Sequence, residues 1–421
     1  MTTLRLLVHA PAYPVGQAMG GIGIRIWELG QVLADAGVQV RILARGPFDL
    51  DWPGITFGPP DAPTWRAGLA WADAVLVGDL PDTRLLLAAH QHRKLIVTDN
   101  AVPLEHLEYP SVRQSPTPQA TYDDLLDRYR LQVLLTDHFI ARSEPERLGL
   151  VASLALTGRL SYPIYDPAPT LAHLISLVPI GFSPHSDRRA HAKPPDWHGD
   201  LVWNGGLWDF LQPTLVLEAL AVLADRDVAC TVHFLYPPPP DQPLREARRL
   251  LAALDAMRDR PGQTTATIER GLLPHDQRDG RLLAARGLVC IAKAGIENDT
   301  CHRLRLRDLY LYRKPLLIDR DGATGSLVQR LGVGLAVDRS PTALADAIQR
   351  LLTDEHLYAR LVGNIDRARA TVRYDTTIHG LLDFLHRRSK APDIGTARHE
   401  RLVNALLAAN PALRTTPPPP I

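Results

Sequence analysis

Charged side chains suited to an anion and sugar site are concentrated between residues 293 and 308. Five of them follow an apolar run that the pattern predicts to be a strand: Lys293, Glu297, Arg303, Arg305 and Asp308. Arginine pairs with diphosphate oxygens in a fork geometry, and a carboxylate accepts hydrogen bonds from sugar hydroxyls. The segment therefore favours a polyanionic ligand that also carries hydroxyl groups. A helix is predicted at Arg303–Tyr312, on which Arg303 and Arg307 lie four residues apart along one face. The alternative is a solvated, salt-bridged helix face, which is common for such charge patterns.

A glycine pair follows another predicted strand, in the loop Trp203–Phe210. Gly205 and Gly206 let the backbone approach a phosphate closely, and a helix predicted directly after the loop offers free N–H groups. Trp208 is placed to pack its ring against a sugar or a base, and Asp209 lies beside it in the same candidate donor site. A plain glycine-rich turn is the alternative interpretation.

The N-terminal loop carries the run Gly20-Gly21-Ile22-Gly23. This run lacks the spacing of a dinucleotide fingerprint. The second predicted strand also ends at Arg45, where a dinucleotide site would have an acidic residue to hold the ribose. A dehydrogenase is therefore disfavoured.

Candidate acceptor contacts follow the predicted strand Lys94–Thr98, at Asp99, Asn100 and His106. For His106, an ordinary surface histidine is the alternative. The 16 histidines and three cysteines show no metal-ligand spacing. No Asp-x-Asp pair follows a strand in a context suited to a divalent metal and a diphosphate. We therefore predict catalysis without a metal and without a cofactor beyond the nucleotide-activated co-substrate.

The elements that must position these residues form two successive series of strands and helices, which is typical of doubly wound parallel sheets. The predicted strands of both series are Leu4–His9, Val38–Ala44, Ala74–Val77, Lys94–Thr98, His138–Ala141, Asp200–Trp203, Ala229–Leu235, Gly287–Ala292, Pro315–Asp319 and Gly334–Val337. The predicted domains are 1–180 and 200–372, joined by a linker at 181–199 that is rich in Pro, His, Asp and Arg. The tail at 389–421 carries one short amphipathic piece around Leu402–Leu407, and the rest of it is expected to be poorly ordered.

Composition excludes several classes of function. The formal net charge is +1, so no global field attracts nucleic acid or an anionic membrane. No apolar run approaches the ~18–20 residues of a membrane span, and the N-terminal residues do not have the pattern of a signal peptide. Three cysteines form no disulfide framework. A cytoplasmic protein is expected, and its oligomeric state is left open.

The motifs resemble, in order, those of the GT-B glycosyltransferases of family 4, a large retaining group. The resemblance is collinear over roughly residues 4–385 and rests on six segments: Gly20–Leu29, Ile96–Leu107, Ser143-Glu144, Val178–Phe182, Asn204–Phe210 and Glu297–Pro315. It implies an α/β protein of the GT-B type, with two Rossmann-like lobes facing across a cleft. It also implies a C-terminal helix, at 373–388, that crosses back to the N-terminal lobe.

The resemblance implies a hexosyltransferase-type enzyme (EC 2.4) that takes its sugar from a nucleotide-diphosphate donor bound in the C-terminal lobe. Gly205 and Gly206 would hold the diphosphate together with one of the two arginines. Glu297 would contact the donor sugar and Asp308 the nucleotide ribose. The glycines of the N-terminal loop, Gly21 and Gly23, would line the cleft.

The expected mechanism retains the anomeric configuration, with the departing diphosphate assisting deprotonation of a glycan or natural-product acceptor. Lys293, Arg303 and Arg305 are the predicted charge stabilisers. The chain departs from the family pattern because it lacks the usual Arg and Lys after the first C-terminal strand, and because Arg305 replaces a second Glu. Three alternatives therefore stay open: a nucleotide-sugar epimerase, a pseudo-glycosyltransferase that couples a non-sugar to a nucleotide-activated ring, and a non-catalytic partner subunit. The base, the sugar and the acceptor are not specified by the sequence.

Overall fold

A computed structural model describes residues 3–78, 80–99, 109–166, 168–191, 199–237, 244–258 and 263–415. The chain divides into two compact units, each built around one parallel sheet. The first unit comprises Met1–Gly16, Ile26–Pro179 and Tyr374–Ile421, and the second comprises Gln17–Arg25 and Ile180–Arg373. The prediction of two doubly wound α/β units is therefore confirmed.

The sheet of the first unit has seven parallel strands among the described residues. They are β1 Arg5–Pro14, β2 Gln39–Arg45, β3 Ile55–Gly58, β4 Ala74–Val77, β5 Leu95–Asp99, β6 His138–Ala141 and β7 Ile175–Leu177. Their order is β3-β2-β1-β4-β5-β6-β7, so the direction of winding reverses between β1 and β4. All four residues of β4 are buried, as expected for a parallel strand covered by helices on both faces.

Helices lie between most successive strands of this sheet and pack on it. The described residues between 21 and 165 form seven helices: α1 Gly21–Asp35, α2 Ala62–Trp71, α3 Thr83–Gln91, α4 Tyr109–Gln114, α5 Pro118–Leu135, α6 Glu144–Leu156 and α7 Tyr162–Tyr165. Helix α6 shows why such a segment starts where it does. The hydroxyl of Ser143 accepts a hydrogen bond from the Glu146 amide at 3.2 Å, and two acidic residues occupy the first turn.

The sheet of the second unit has six parallel strands among the described residues. They are β8 Gly199–Trp203, β9 Cys230–Phe234, β10 Thr264–Ile268, β11 Ala285–Cys290, β12 Leu316–Asp319 and β13 Gly334–Val337. Their order is β10-β9-β8-β11-β12-β13. The apolar core of this unit lies on both faces of the sheet and includes the fully buried Trp203, Phe234 and Tyr310.

Nine helices surround the second sheet in the described part of the chain. They are α8 Pro184–Ala190, α9 Thr214–Asp225, α10 Arg245–Arg258, α11 His275–Ala284, α12 Ile296–Thr300, α13 Leu306–Tyr312, α14 Gly322–Leu331, α15 Pro341–Thr353 and α16 Glu355–Arg369. Helix α8 falls inside the segment predicted to be a linker. It forms because Ser183 caps its first turn, and the side chain of Asp187 then pairs with Arg369 at 2.7 Å.

The chain returns to the first unit at Tyr374. The returning segment contains α17 Tyr374–Thr377, α18 His379–Arg387, α19 Ala397–Ala409 and a 3-10 turn at Pro411–Arg414. Residues 389–415 are therefore more ordered than predicted for the tail, because α19 packs along α5 and buries Val403 and Leu407. No helix in the described residues combines the length and the apolarity needed to cross a membrane.

A buried ion pair fastens the segment before α19 to the first unit. Arg159 donates from Nε and Nη2 to the two carboxylate oxygens of Asp393, each at 2.8 Å. Its remaining nitrogen, Nη1, donates to the carbonyl groups of Val133 and Thr136 at the end of α5. The Arg159 side chain is completely buried, so every donor that it brings into the core needs such a partner.

We predict that Arg159→Met lowers the free energy of unfolding of the first unit by about 3–5 kcal/mol, because it leaves the Asp393 carboxylate buried without its partner. Arg130→Met is the matched control, since the Arg130–Asp127 pair is exposed, with Arg130 at 51%. The control should cost only about 0–1 kcal/mol. Urea denaturation followed by circular dichroism measures both variants, and equal losses would contradict the anchoring role of Arg159.

Candidate functional site

The two loops singled out in the C-terminal half of the sequence meet at one place in the second unit. Strands β8 and β11 are adjacent and parallel, with Leu201 opposite Gly287. Strands β9 and β10 lie on one side of this pair, and β12 and β13 lie on the other. Ligands of doubly wound sheets bind beyond the carboxyl ends of the strands, at such a reversal of strand order. The loops after β8 and β11 therefore border the expected ligand position.

Backbone hydrogen bonds hold the loop after β8 against the end of β11. The amide of Lys293 donates to the carbonyl of Phe210 at 2.9 Å, and the amide of Gln212 donates to the carbonyl of Ile291 at 2.9 Å. Leu211 and Ala292 form an antiparallel bridge between the two segments. The glycine loop is thus fixed to the sheet at both of its ends.

The glycines of this loop are required by close approach of side chains. A Cβ atom on Gly205 would lie 2.3 Å from Nε of Arg305, and one on Gly206 would lie 2.9 Å from Nε1 of Trp208. Arg305 also donates from Nη2 to the carbonyl of Gly206 at 2.7 Å. The guanidinium therefore packs directly against the glycine backbone, where a larger residue has no room.

Asp319, at the end of β12, is a buried acceptor that the sequence patterns did not single out. Its carboxylate accepts from Arg303 Nη1 at 3.0 Å, from Asn298 Nδ2 at 2.8 Å and from the Ala292 amide at 2.8 Å. Arg303 is 5% exposed, and Asn298 also accepts from its Nη2. Burial opposes the charge of Arg303, but neighbouring Cys290 and Asp319 raise its pKa. Asp319 lies one strand beyond the charged segment at 293–308, and no sequence pattern connects it with that segment.

Asp308 is a second buried acceptor, in the first turn of α13. It accepts from Arg278 at 2.5 Å, from Arg307 at 2.7 Å and from Asn204 at 2.9 Å. Burial alone would raise the pKa of Asp308, but the two arginines hold it below its usual value. The structure thus places Asp308 inside an ion-pair network that supports the loop after β8.

Arg305 differs from the other buried arginines of this region in its partners. In the described residues its hydrogen bonds go to the Gly206 carbonyl and to the sulfur of Cys290 at 3.1 Å, and none goes to a carboxylate. Its Nε is buried without an acceptor, and the guanidinium lies 5.1 Å from the ring centre of Trp203. Burial lowers the pKa of Arg305, and Arg303 lowers it further, although Cys290 and Glu297 act in the opposite direction.

The surroundings of the Asp308 network carry excess positive charge. Burial is the largest effect on His275, and the nearby Arg189, Arg278 and Arg307 add to it, so that the pKa of His275 falls to about 2. Burial and the three arginines therefore favour the neutral form of this histidine. A local excess of arginine over carboxylate is suited to an anionic ligand.

Lys293 and Asp209 are connected to each other through α10. Lys293 donates from Nζ to the carboxylate of Glu246 and to the backbone carbonyl of Asp209, both at 2.8 Å. The carboxylate of Asp209 accepts from the amide of Glu246 at 3.1 Å. Trp208, in the same loop, is partly buried against the core of the unit. These contacts hold Asp209, near the end of the loop, against Lys293 and α10.

Glu297 and the N-terminal glycines lie in the same unit. Glu297 is half-buried in the first turn of α12, and its charge acts on both Arg303 and Arg305. Residues 17–25 cluster with the second unit, where a Cβ on Gly21 would lie 3.3 Å from the side chain of Leu304. Gly23 is buried within α1.

The predicted acceptor residues belong to a different part of the chain. Asp99 is the last residue of β5 in the first unit and is 7% exposed. Asn100 and His106 lie outside the described residues. Their proposed role in acceptor binding stays a prediction.

The prediction of one helix face carrying Arg303 and Arg307 is wrong. Helix α13 begins at Leu306, so Arg303 precedes it and pairs with Asp319, whereas Arg307 pairs with Asp308. Both arginines are almost completely buried, and a solvated, salt-bridged face does not form here. The sequence spacing misled because a short non-helical turn separates the two residues.

Known structures share the fold of this chain, although no protein-family model and no curated protein sequence matches it. Sucrose-phosphate synthase from Thermosynechococcus elongatus is 18% identical, with a TM-score of 0.60, over 92% of this chain and 100% of that one. Trehalose-6-phosphate synthase from Burkholderia multivorans is 12% identical, with a TM-score of 0.61, over 92% and 100%. The Anabaena protein HepE, in complex with UDP and glucose, is 13% identical, with a TM-score of 0.58, over 91% and 100%.

These similarities extend over nearly the whole of each chain. Sequence identities of this size show the fold alone. The expected fold is therefore confirmed: the chain has the GT-B fold found in these glycosyltransferases.

We predict that substitutions of two neighbouring arginines change the free energy of unfolding to very different extents. Arg303→Gln removes the hydrogen-bonded guanidinium of Asp319 and leaves only a longer contact with Arg339 at 3.6 Å, so the second unit should lose about 3–5 kcal/mol. Arg305→Gln removes a buried charge that has no carboxylate partner, so the ligand-free protein should stay within about 1 kcal/mol of wild type or become more stable. Urea denaturation of both variants without nucleotide is the measurement. A large loss for Arg305→Gln would show that this residue has a structural role.

Proposed function

We propose that this chain is a glycosyltransferase that moves a sugar from a nucleotide-diphosphate sugar to a glycan or small-molecule acceptor. The observation that carries the proposal is the buried Arg305 guanidinium, which lies against Gly205 and Gly206 and has no carboxylate partner among the residues that the structure describes. Burying a charge in this way costs free energy unless a counter-charge approaches. A diphosphate bound over the glycine loop supplies that counter-charge.

Further buried polar atoms surround the same loop. Nε1 of Trp203 and Oδ1 of Asn204 have no hydrogen-bond partner in the described residues. Buried polar groups are normally paired, so a cluster of unpaired ones at the ligand end of a sheet favours a bound polar molecule. Such atoms suit the hydroxyl and amide groups of a nucleotide sugar.

The arginine-rich environment supports the expectation of transfer without a metal ion. In enzymes that handle diphosphates, arginine and lysine side chains stabilise the charge that develops on the leaving group. Arg305 would supply charge from beneath the glycine loop. Arg303 and Lys293, which are paired with Asp319 and Glu246, would set the position of this loop and of the segment after β11.

We extend the proposal to the reacting sugar and to the acceptor. Glu297 would accept hydrogen bonds from the donor sugar, and Asp308 would position Asn204 at the edge of the site. Retention would follow from deprotonation of the acceptor by the departing diphosphate on the same face of the sugar. Asp99, Asn100 and His106 stay the candidate acceptor contacts.

We predict that one of the UDP-, GDP-, ADP- or dTDP-sugars raises the melting temperature of the protein in the presence of EDTA. UDP-sugars are the first probes, since the structurally similar HepE was crystallised with UDP and glucose. A ligand at 100 times its Kd stabilises the folded state by about 2.7 kcal/mol. Differential scanning fluorimetry measures the shift, and silence across the whole panel would contradict the proposal.

Arg305→Gln should weaken binding of that nucleotide sugar by roughly tenfold or more, since a charge-assisted interaction contributes about 1.5–3 kcal/mol. Arg270→Gln is the matched control, because Arg270 is exposed in the same unit. Isothermal titration calorimetry gives both dissociation constants. Equal affinity of the two variants would remove Arg305 from the donor site.

Glu297→Ala should reduce turnover more than tenfold while leaving the affinity for the free nucleoside diphosphate nearly unchanged, because the diphosphate has no sugar hydroxyls. Chromatography of the products identifies the reaction. A glycoside plus nucleoside diphosphate supports transfer. An epimerised sugar nucleotide, a coupled non-sugar product, or donor binding without any product would instead favour one of the three alternative functions.

A further inference from the structure

Two histidines and a glutamate meet where α3, α5 and α19 of the first unit pack together. His90 lies in the last turn of α3, and His399 and Glu400 lie in the first turn of α19. Each residue offers one ligand atom, and the three atoms lie within 4.8 Å of one another. No other group of three or more histidine, cysteine or acidic side chains in the described residues has this arrangement.

Two of the three separations between these atoms are close to the edge of a tetrahedral metal site. Oε1 of Glu400 lies 3.4 Å from Nε2 of His90 and 3.6 Å from Nδ1 of His399. A tetrahedral ion with bonds of about 2.0–2.1 Å holds its ligand atoms about 3.4 Å apart. The third separation, between the nitrogens of His90 and His399, is within 4.8 Å, so the three side chains lie close enough for a common ion to draw them together.

The tautomer of His399 is set by a contact on its other nitrogen. Nε2 lies 2.9 Å from the carbonyl oxygen of Leu134, which only accepts, so Nε2 carries the proton. Nδ1, which lies 3.6 Å from Oε1 of Glu400, then carries the lone pair. An outer-shell contact of this kind is typical of histidines that bind metals. The amide of Gly395 approaches the same Nδ1 at 3.4 Å, a long contact that an ion would displace.

The charge and the accessibility of the cluster also suit a cation. Glu400 is 43% exposed, so an ion and a water ligand can enter from solvent. Lys390, whose positive charge acts on His90, is paired with Asp137 at 2.9 Å, which offsets that charge. Two imidazoles and one carboxylate are a ligand set that zinc and its neighbours in the first transition series prefer.

We propose that His90, His399 and Glu400 bind one divalent transition metal ion of the zinc type, with water in the fourth position. The ion joins the last turn of α3 to the first turn of α19. It thereby supplements the Arg159–Asp393 pair in holding the C-terminal segment on the first unit. The site belongs to a different unit from the candidate donor site and has a structural role.

The test uses the full chain without a histidine tag, treated with a chelator and then exchanged into metal-free buffer. Titration with Co²⁺ should give one equivalent per chain and the strong visible absorption of tetrahedral cobalt, which Zn²⁺ then abolishes by displacement. Zn²⁺ alone should raise the melting temperature. Absence of stoichiometric binding would overturn the proposal.

Three variants assign the ligands. His90→Ala and Glu400→Gln should each weaken Co²⁺ binding by more than about tenfold and remove the Zn²⁺-induced rise in melting temperature. Both positions are partly exposed, so these variants are expected to fold. His92→Ala is the matched control, since His92 is exposed one residue beyond the end of α3, and it should bind like wild type. Unchanged binding by His90→Ala and Glu400→Gln would overturn the assignment.

Discussion

Burial of guanidinium groups is the constraint on which the candidate site depends. Asp319 supplies a counter-charge to Arg303, and Asp308 supplies one to Arg278 and Arg307. These pairs join α11, α13 and the end of β12 around the carboxyl ends of β8 and β11. Because removing one partner of a buried pair strands the other charge, each of these pairs is costly to break. Arg305 is held in place by this frame and has no carboxylate partner of its own in the described residues.

The same constraint explains the glycine loop. Arg305 fills the space that a side chain at position 205 would need, and it donates to the carbonyl of Gly206. The backbone of the loop is therefore supported from below by a positive charge, while Asn204 connects it to Asp308. In the proposed function a diphosphate bound over the loop is the missing counter-charge. Stability in the absence of ligand and affinity for the ligand are then opposed at Arg305, as is common at functional sites.

Much of the fold could be predicted from the sequence, because buried parallel strands appear as short apolar runs. Ala74–Val77, His138–Ala141 and Gly334–Val337 were predicted with the bounds that the structure has. The strand Thr264–Ile268 was missed. It lies at the edge of its sheet, and its threonines give it a weak apolar pattern. Helix α8 was missed because ion pairs and a serine cap, instead of an apolar stripe, stabilise it.

The candidate site was only partly predictable, for a physical reason. The spacing of charged residues indicated an arginine-rich ligand site, and β8 and β11 are indeed adjacent. Spacing does not show which arginine a buried carboxylate neutralises, because Asp319 and Arg278 come from other strands and helices. A non-helical turn before Leu306 also sends Arg303 and Arg307 to different partners. The structure was therefore needed to show that Arg305 is the arginine of this segment that has no carboxylate partner among the described residues.

A crystal structure of this chain, grown with the nucleotide sugar that gives the largest thermal shift, tests most directly whether a bound diphosphate is the counter-charge of Arg305. We expect the diphosphate to lie over Gly205 and Gly206, with Arg305 as the nearest guanidinium beneath it. A diphosphate bound elsewhere on the second unit, with the glycine loop unoccupied, would contradict this expectation.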